Sequence, residues 1–251
     1  MVYFVGAGPG APDLITLRGK NLLENADVII YAGSLVNPAL LGFAKANCEV
    51  YNSAVMTLDE VIEVIKSAEN SLKTVIRLHT GDPSLYGAVR EQMDRLTAVN
   101  IEFEVCPGVS SFCAAAASLK AEYTLPGISQ TVILTRAAGR TPVPDGESIR
   151  LLAAHKASMV LFLSANLLEK TSEDLISGGY PGETPAAIVY KASWQDEKIV
   201  PTTVAELAKS AAENNINKTA LVCVGNFLGE NYNLSKLYSA DFATLYREAK
   251  L

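Results

Sequence analysis

Five short apolar runs in the first 110 residues constrain the fold most strongly: residues 2–5, 28–31, 49–51, 74–78 and 103–106. They are rich in valine, isoleucine and other β-branched or aromatic residues, without alternating polar positions. That pattern suits strands buried on both faces of a parallel sheet. Helix-length stretches separate them. The clearest begins at Thr57-Leu-Asp-Glu60, a capping box, behind which Leu58, Val61, Ile62, Ile65, Ala68 and Leu72 share one helical face. A βαβαβ order predicts a doubly wound sheet with its ligand loops at the carboxyl ends of the strands.

The alternation weakens after Leu119. Strands are expected at residues 131–134, 159–163, 187–190, 199–201 and 221–224. Ile188 and Ile199 stand about a hairpin apart, so this half is expected to hold a mixed sheet. Helices are expected after Gly146, after Asn166 (stopped by Gly178-Gly179) and after Thr203, where Thr203-Val-Ala-Glu206 reads as a second capping box. The turn Tyr123-Thr-Leu-Pro-Gly127 suggests a boundary, giving domains 1–119 and 120–251. The tail after Gly229 reads as a polar docking arm.

Composition narrows the function classes. Of 251 residues 49% are hydrophobic, which supports a real core, and the net charge of −6 makes a general nucleic-acid binder a poor reading. The longest uncharged stretch, residues 28–44, is broken by Gly33, Asn37, Pro38 and Gly42, so no membrane span is expected. The N-terminus lacks a basic region and begins a strand at once, unlike a signal peptide. Cys48, Cys106, Cys113 and Cys223 show no CxxC spacing, which argues against a zinc site or a disulfide framework and for a reduced, cytoplasmic protein.

Three loops could carry chemistry. The first strand runs into Gly6-Ala-Gly-Pro-Gly10, the fourth into Thr80-Gly-Asp-Pro83, and the fifth into Pro107-Gly-Val-Ser-Ser111. A dinucleotide site is disfavoured, because Pro9 and Pro12 disturb the opening of a phosphate helix and the second strand ends without a carboxylate. Each loop alone also reads as structural, Asp82 and Ser110 being good N-caps and Pro83 suiting a first helical position. Together they set three small-residue turns along one sheet edge, which favours a nucleotide-like ligand. No Ser/His/Asp or Cys/His set is present, and no catalytic residue is assigned. His79 and His155 read as ordinary histidines. Arg136 and Arg140 lie in residues 123–144, which contain no acid. Arginine suits two-pronged carboxylate recognition.

These motifs resemble the tetrapyrrole (precorrin) methylase family, which uses S-adenosylmethionine. The resemblance rests on Val5-Gly-Ala-Gly-Pro-Gly10 followed by Leu14-Ile-Thr-Leu17, on Thr80-Gly-Asp-Pro83, on Pro107-Gly-Val-Ser-Ser111 and on Pro185-Ala-Ala-Ile-Val-Tyr-Lys-Ala192. Within the family, Tyr31-Ala-Gly-Ser-Leu-Val36, Gly87-Ala-Val-Arg-Glu-Gln-Met93 and residues 130–144 are most similar to the branch that methylates C11 of precorrin-4 or its cobalt form in cobalamin (vitamin B12) synthesis. The resemblance implies two α/β domains with the cofactor in a cleft between them, S-adenosylhomocysteine as product, a tetrapyrrole substrate and a homodimer. It carries cofactor contacts onto Pro9, Thr80, Gly81, Asp82, Leu85, Ser110, Ser111, Leu163 and Ala192. Some relatives have glycine at the Thr80 position and methionine at the Leu163 position. A polyanionic tetrapyrrole approaching an acidic protein needs local positive charge, for which Arg136 and Arg140 are the candidates. The competing readings are methylation at another carbon, a nicotinamide oxidoreductase, and a non-enzymatic nucleotide sensor or scaffold.

Overall fold

The computed structural model describes residues 1–250, the side chain of Ser34 excepted. The chain divides into two compact units. The first comprises Met1–Ala115 and Lys191–Glu197; the second comprises Ala116–Tyr190 and the chain from Lys198 onward.

The strands of the first unit are β1 (Val2–Gly6), β2 (Val28–Tyr31), β3 (Glu49–Asn52), β4 (Val75–His79) and β5 (Phe103–Cys106), in the order β3-β2-β4-β1-β5 and all parallel. Its helices are α1 (Leu17–Glu24), α2 (Leu58–Asn70) and α3 (Arg90–Ala98); α4 (Ser111–Leu119) begins here and carries the unit boundary. Helices cover both faces of the central strands β1, β2 and β4, while the edge strands β3 and β5 leave Glu49, Val50, Glu104 and Val105 exposed. Phe4, Ile30 and Val75 pack with Val61 and Ile65 of α2 and Leu96 of α3. Val5, Ile29, Ile76 and Leu78 pack on the other face with Leu23 of α1 and with Leu40.

Helix α2 starts in the expected capping box: Glu60 N–H donates to Thr57 Oγ1 and Thr57 N–H donates to Glu60 Oε2. Its buried face is Val61, Ile62, Ile65 and Ala68, with Leu58 partly covered. Leu72 departs from the expected face. The helix ends at Asn70, and Leu72 turns out through a left-handed φ of 55°, 92% exposed.

The second unit holds β6 (Val132–Arg136), β7 (Ser158–Phe162), β8 (Pro185–Tyr190), β9 (Lys198–Thr203) and β10 (Ala220–Val224), in the order β6-β7-β10-β8-β9. Only β6 and β7 are parallel; β8 and β9 form the hairpin that the spacing of Ile188 and Ile199 predicts. Helices α5 (Ile149–Ala153), α6 (Leu168–Ser177) and α7 (Leu207–Glu213) bury Ile149, Leu168, Leu175 and Leu207 against Met159, Leu161, Ile188 and Val222. Gly178 caps α6 as expected. The second capping box does not form. Thr203 is the last residue of β9, and α7 opens after Glu206 without a side-chain cap, because the strand pairing of Thr203 with Pro185 takes precedence.

The tail is not simply polar. Arg247 donates to the carbonyls of Leu237, Ser239 and Phe242, while Leu234, Tyr238, Leu245 and Tyr246 are strongly exposed. Among the described residues no helix is long and apolar enough to cross a membrane.

Candidate functional site

The carboxyl ends of β4, β1 and β5 lie side by side, and their turns interlock. Ala7 N–H donates to His79 O (2.7 Å), and Gly8 and Gly81 exchange two backbone hydrogen bonds of 3.2 and 2.9 Å. The packing leaves no room for a side chain at Gly6, Gly8, Gly10 or Gly108. A Cβ on Gly6 would stand 2.5 Å from Gly108 Cα, and one on Gly108 would stand 2.2 Å from Gly81 O. Gly81 differs: with φ +60° it sits in the left-handed region, yet a Cβ there would meet only Ser111 N at 3.6 Å and Ser110 Cα at 3.7 Å. Gly81 is buried, and a methyl group there would lie in ordinary contact with the backbone of Ser110 and Ser111 at the start of α4.

Asp82 ties two turns together. Its Oδ2 accepts from Gly108 N–H at 2.8 Å, and its Oδ1 accepts from Ser84 N–H at 2.9 Å and from the Ser84 hydroxyl. The residues after it form a turn rather than a helix, so Asp82 is not the helix N-cap that the Asp-Pro pair suggests. Burial raises the Asp82 carboxyl, but the hydrogen bonds from Ser84 and Gly108 outweigh it and leave the group below its ordinary value. Thr80 Oγ1 donates to Leu35 O at 2.9 Å, joining this turn to the segment after β2. Leu85 is half-buried at the end of the Asp82 turn.

Motif reading missed the residues that hold the first turn. The connection Lys191–Glu197 belongs to this unit, and it grips Pro9–Ala11. Trp194 Nε1 donates to Pro9 O at 3.0 Å, and Ala11 N–H donates to Ser193 Oγ at 3.0 Å. From the other side Asn37 Nδ2 donates to Gly10 O at 2.8 Å. The signal was present in one form: Trp194 is the only tryptophan in the chain, two residues from Ala192. Pro9, Thr80, Gly81, Asp82, Leu85, Ser110, Ser111 and Ala192 all belong to this one unit.

Beneath the turns, Arg77 is buried and donates to Gln92 Oε1 (2.8 Å) and Ile30 O (3.0 Å). His79, also buried, stacks on Phe4, and its Nε2 has no partner among the described residues. Burial, with Arg77 nearby, pushes the imidazole down to about 3, so it is neutral at physiological pH. Burial pushes the Cys113 thiol at the start of α4 up, which disfavours its thiolate form. Among the described residues no group of three or more His, Cys, Asp or Glu could hold a metal ion.

In the second unit the parallel pair β6–β7 carries Arg136, Arg140 and Leu163 at its carboxyl end. Ala137 N–H donates to Ser164 Oγ at 2.8 Å, joining the two outgoing loops. Leu163 is 62% exposed in a left-handed conformation of φ 52°. Arg136 turns back on its own loop, donating to Ala137 O, Thr141 O and Pro142 O at 3.2, 3.1 and 2.6 Å. Arg140, at the tip, is exposed.

Small-residue turns at the carboxyl edge of a parallel sheet are the arrangement in which α/β folds receive nucleotide-like ligands. The chain belongs to the tetrapyrrole (corrin/porphyrin) methylases, whose family profile matches residues 1–208. It is 54% identical over 249 residues to a cobalt-precorrin-4 C(11)-methyltransferase of Methanocaldococcus jannaschii, covering 99% of this chain and 96% of that one. It is 44% identical to a precorrin-4 C(11)-methyltransferase of Pseudomonas aeruginosa, covering 98% of each. The solved structure of the cobalamin biosynthetic enzyme cobalt precorrin-4 methyltransferase, CbiF, superposes with a TM-score of 0.90 at 47% identity, covering 91% of this chain and 96% of that one. A uroporphyrin-III C-methyltransferase from Thermus thermophilus, complexed with S-adenyl homocysteine, gives 0.75 at 26% identity, covering 91% and 93%.

Proposed function

We propose that this chain transfers a methyl group from S-adenosylmethionine to C11 of precorrin-4 or cobalt-precorrin-4 in cobalamin biosynthesis. The observation that carries the reading is identity of 54% with the Methanocaldococcus jannaschii enzyme over nearly the whole of both chains. The turns support the same reading, because Gly6, Gly8, Gly81 and Gly108 bring bare main chain together beside Ser110 and Ser111 at the carboxyl edge of the parallel sheet. In this reading Pro9, Thr80, Gly81, Asp82, Leu85, Ser110, Ser111, Leu163 and Ala192 hold the cofactor, and 1–119 and 120–251 are the two domains. Arg140 binds peripheral carboxylates of the tetrapyrrole, and Arg136 holds the loop that carries it.

When bound, S-adenosylmethionine supplies an electrophilic methyl on sulfur, so the protein needs no nucleophile of its own. Its residues have to align donor and acceptor and keep water out. Alkylation at C11 makes a quaternary carbon, and the proton that restores neutrality leaves from a ring nitrogen. We further infer a homodimer, supported by the exposed Leu234, Tyr238, Leu245 and Tyr246, and a cytoplasmic location where the four unpaired cysteines stay reduced.

The test is incubation with enzymatically made precorrin-4, and separately its cobalt form, with labelled cofactor. NMR is expected to find the new methyl on C11 of one or both. A methyl on another carbon would replace the assignment with a different family reaction, and no transfer would overturn it.

A further inference from the structure

We infer that Trp194 is a positioning residue that clamps the Pro9–Gly10 turn and seats Ala192, so that the cofactor finds both in place. The inference rests on the methyltransferase reading above and assigns a residue that reading does not include.

Four observations carry it. The Trp194 Nε1–H donates to Pro9 O at 3.0 Å. The indole lies so close to Gly10 that a Cβ there would stand 2.1 Å from Cδ1 and 2.2 Å from Nε1. Ser193, next in the chain, accepts from Ala11 N–H through its hydroxyl at 3.0 Å. Ala192 is buried between two left-handed residues, Lys191 at φ 48° and Ser193 at φ 70°, a conformation L-residues adopt only under constraint.

The constraint is visible. Lys191 Nζ pairs with Asp196 at 2.6 Å and lies 5.3 Å over the Trp194 ring, and Ser193 N–H donates to Glu197 Oε2 at 2.6 Å. The seven-residue connection is thus closed on itself and fastened to the first glycine turn by two hydrogen bonds and one ring face. Pro9 and Ala192 are 183 positions apart in sequence; Trp194 and Ser193 are what join them. Trp194 acts on the cofactor through Pro9, Gly10 and Ala192, not by touching the reacting atoms.

Trp194 is the only tryptophan, so its fluorescence reports the clamp directly. S-adenosylhomocysteine titrated into the wild type is expected to change the emission with the same midpoint that calorimetry gives. Trp194→Phe keeps a ring beside Gly10 and removes the donor to Pro9. It is expected to weaken binding by about tenfold, the usual consequence of leaving a covered acceptor unpaired. Gly10→Ala should push the indole out, shifting its emission to the red with a similar loss of affinity. In a Trp194→Ala background the same Gly10→Ala change should do little further, because its obstacle is gone.

Steady-state kinetics should show a raised KM for the cofactor and an unchanged KM for the tetrapyrrole, a split that general loss of stability would not produce. If Trp194→Ala does not fold, Trp194→Phe and Gly10→Ala carry the test. Wild-type binding with silent emission and unaffected variants would overturn the positioning role alone. Failure of the wild type to bind S-adenosylhomocysteine would overturn the methyltransferase reading and this role with it.

Discussion

In the first unit β4, β1 and β5 end in turns held by backbone pressed on backbone: Gly6 against Gly108, Gly108 against Gly81 O, Gly8 bonded to Gly81. In the second unit the parallel pair β6–β7 ends in a loop held by one long side chain, Arg136, whose guanidinium gathers three carbonyls. Glycine packing brings main-chain atoms into direct contact and leaves no room for a side chain between them. A guanidinium staple holds its loop through several donors on one planar fork, so the loop depends on a single side chain. The contrast is between an edge set by packing, where one added methyl group does not fit, and a loop set by the hydrogen bonds of one side chain, which a single truncation removes.

The contrast breaks most readily at Gly108. Gly108→Ala drives a Cβ into Gly81 O and should cost about 3 kcal/mol, at the upper end for overpacking. Gly42→Ala and Gly146→Ala, which would meet nothing within 4 Å, should cost far less. Urea denaturation of the three variants checks this, and equal losses would remove the idea of a glycine-packed edge.

Gly81→Val tests the same edge. The fold should survive with strain from its φ of +60°, while affinity for S-adenosylhomocysteine should fall at least tenfold, about 1.4 kcal/mol. Unchanged affinity in a folded variant would remove Gly81 from the cofactor site.

His79 makes the first unit pH-sensitive. Its imidazole takes a proton near 6.5 when unfolded and only near 3 when folded, so the unfolded state binds more protons between those values. Stability is therefore complete above pH 6.5 and falls on acidification, by about 1 kcal/mol between pH 6.5 and 5.5. Chemical denaturation at the two pH values should show that drop in the wild type and lose most of it in His79→Leu.

Asp82 sharpens the comparison further. As a simple cap it would tolerate asparagine. Because both carboxylate oxygens accept, Asp82→Asn should cost about 1 kcal/mol at neutral pH through loss of one charge-assisted bond. The carboxyl is held below its ordinary 3.8, so this contribution is present above that pH and disappears as pH falls through the folded-state value. Melting curves of wild type and variant should converge in acid.

The smallest effects belong to the arginines. Arg136→Ala should lower stability by about 0.5–1 kcal/mol, because its partners are partly open to water. Arg140→Ala should leave the melting temperature unchanged and raise KM for the tetrapyrrole. If Arg140→Ala turned over as wild type while only Arg136→Ala lost activity, the roles of the two would be exchanged.

Every strand of both sheets was legible to within a few residues, because buried β-branched runs and alternation are local signals. The capping box at Thr57 was legible for the same reason. Misreadings occurred where a local signal met a stronger non-local one. Thr203-Val-Ala-Glu206 has the spacing of a cap, but the pairing of β8 with β9 claimed Thr203 for the strand. Asp82-Pro83 has the look of a helix start, but the chain turns left-handed at Tyr86 and Ala88, with φ 55° and 48°, and leaves one turn there. Leu72 fits the helical period, yet the helix stops before it. Of the candidate site, the three glycine turns were visible as motifs; the clamp on Pro9 was not, since one tryptophan has no motif.

The sequence alone determined which segments are strands, which helices cover them, that the first sheet is parallel and the second mixed, and which small-residue turns leave the strands. These follow from side-chain shape and periodicity over a few residues. Tertiary structure alone decided that Gly6 and Gly108 meet each other and the Gly81 carbonyl without room for a methyl group on either. It also decided that residues 191–197 fasten to Pro9–Ala11 and that Arg136 spends its donors on its own loop. Those outcomes depend on strand order and on which carbonyl lies nearest each donor, and both exist only once residues far apart in the chain have been brought together.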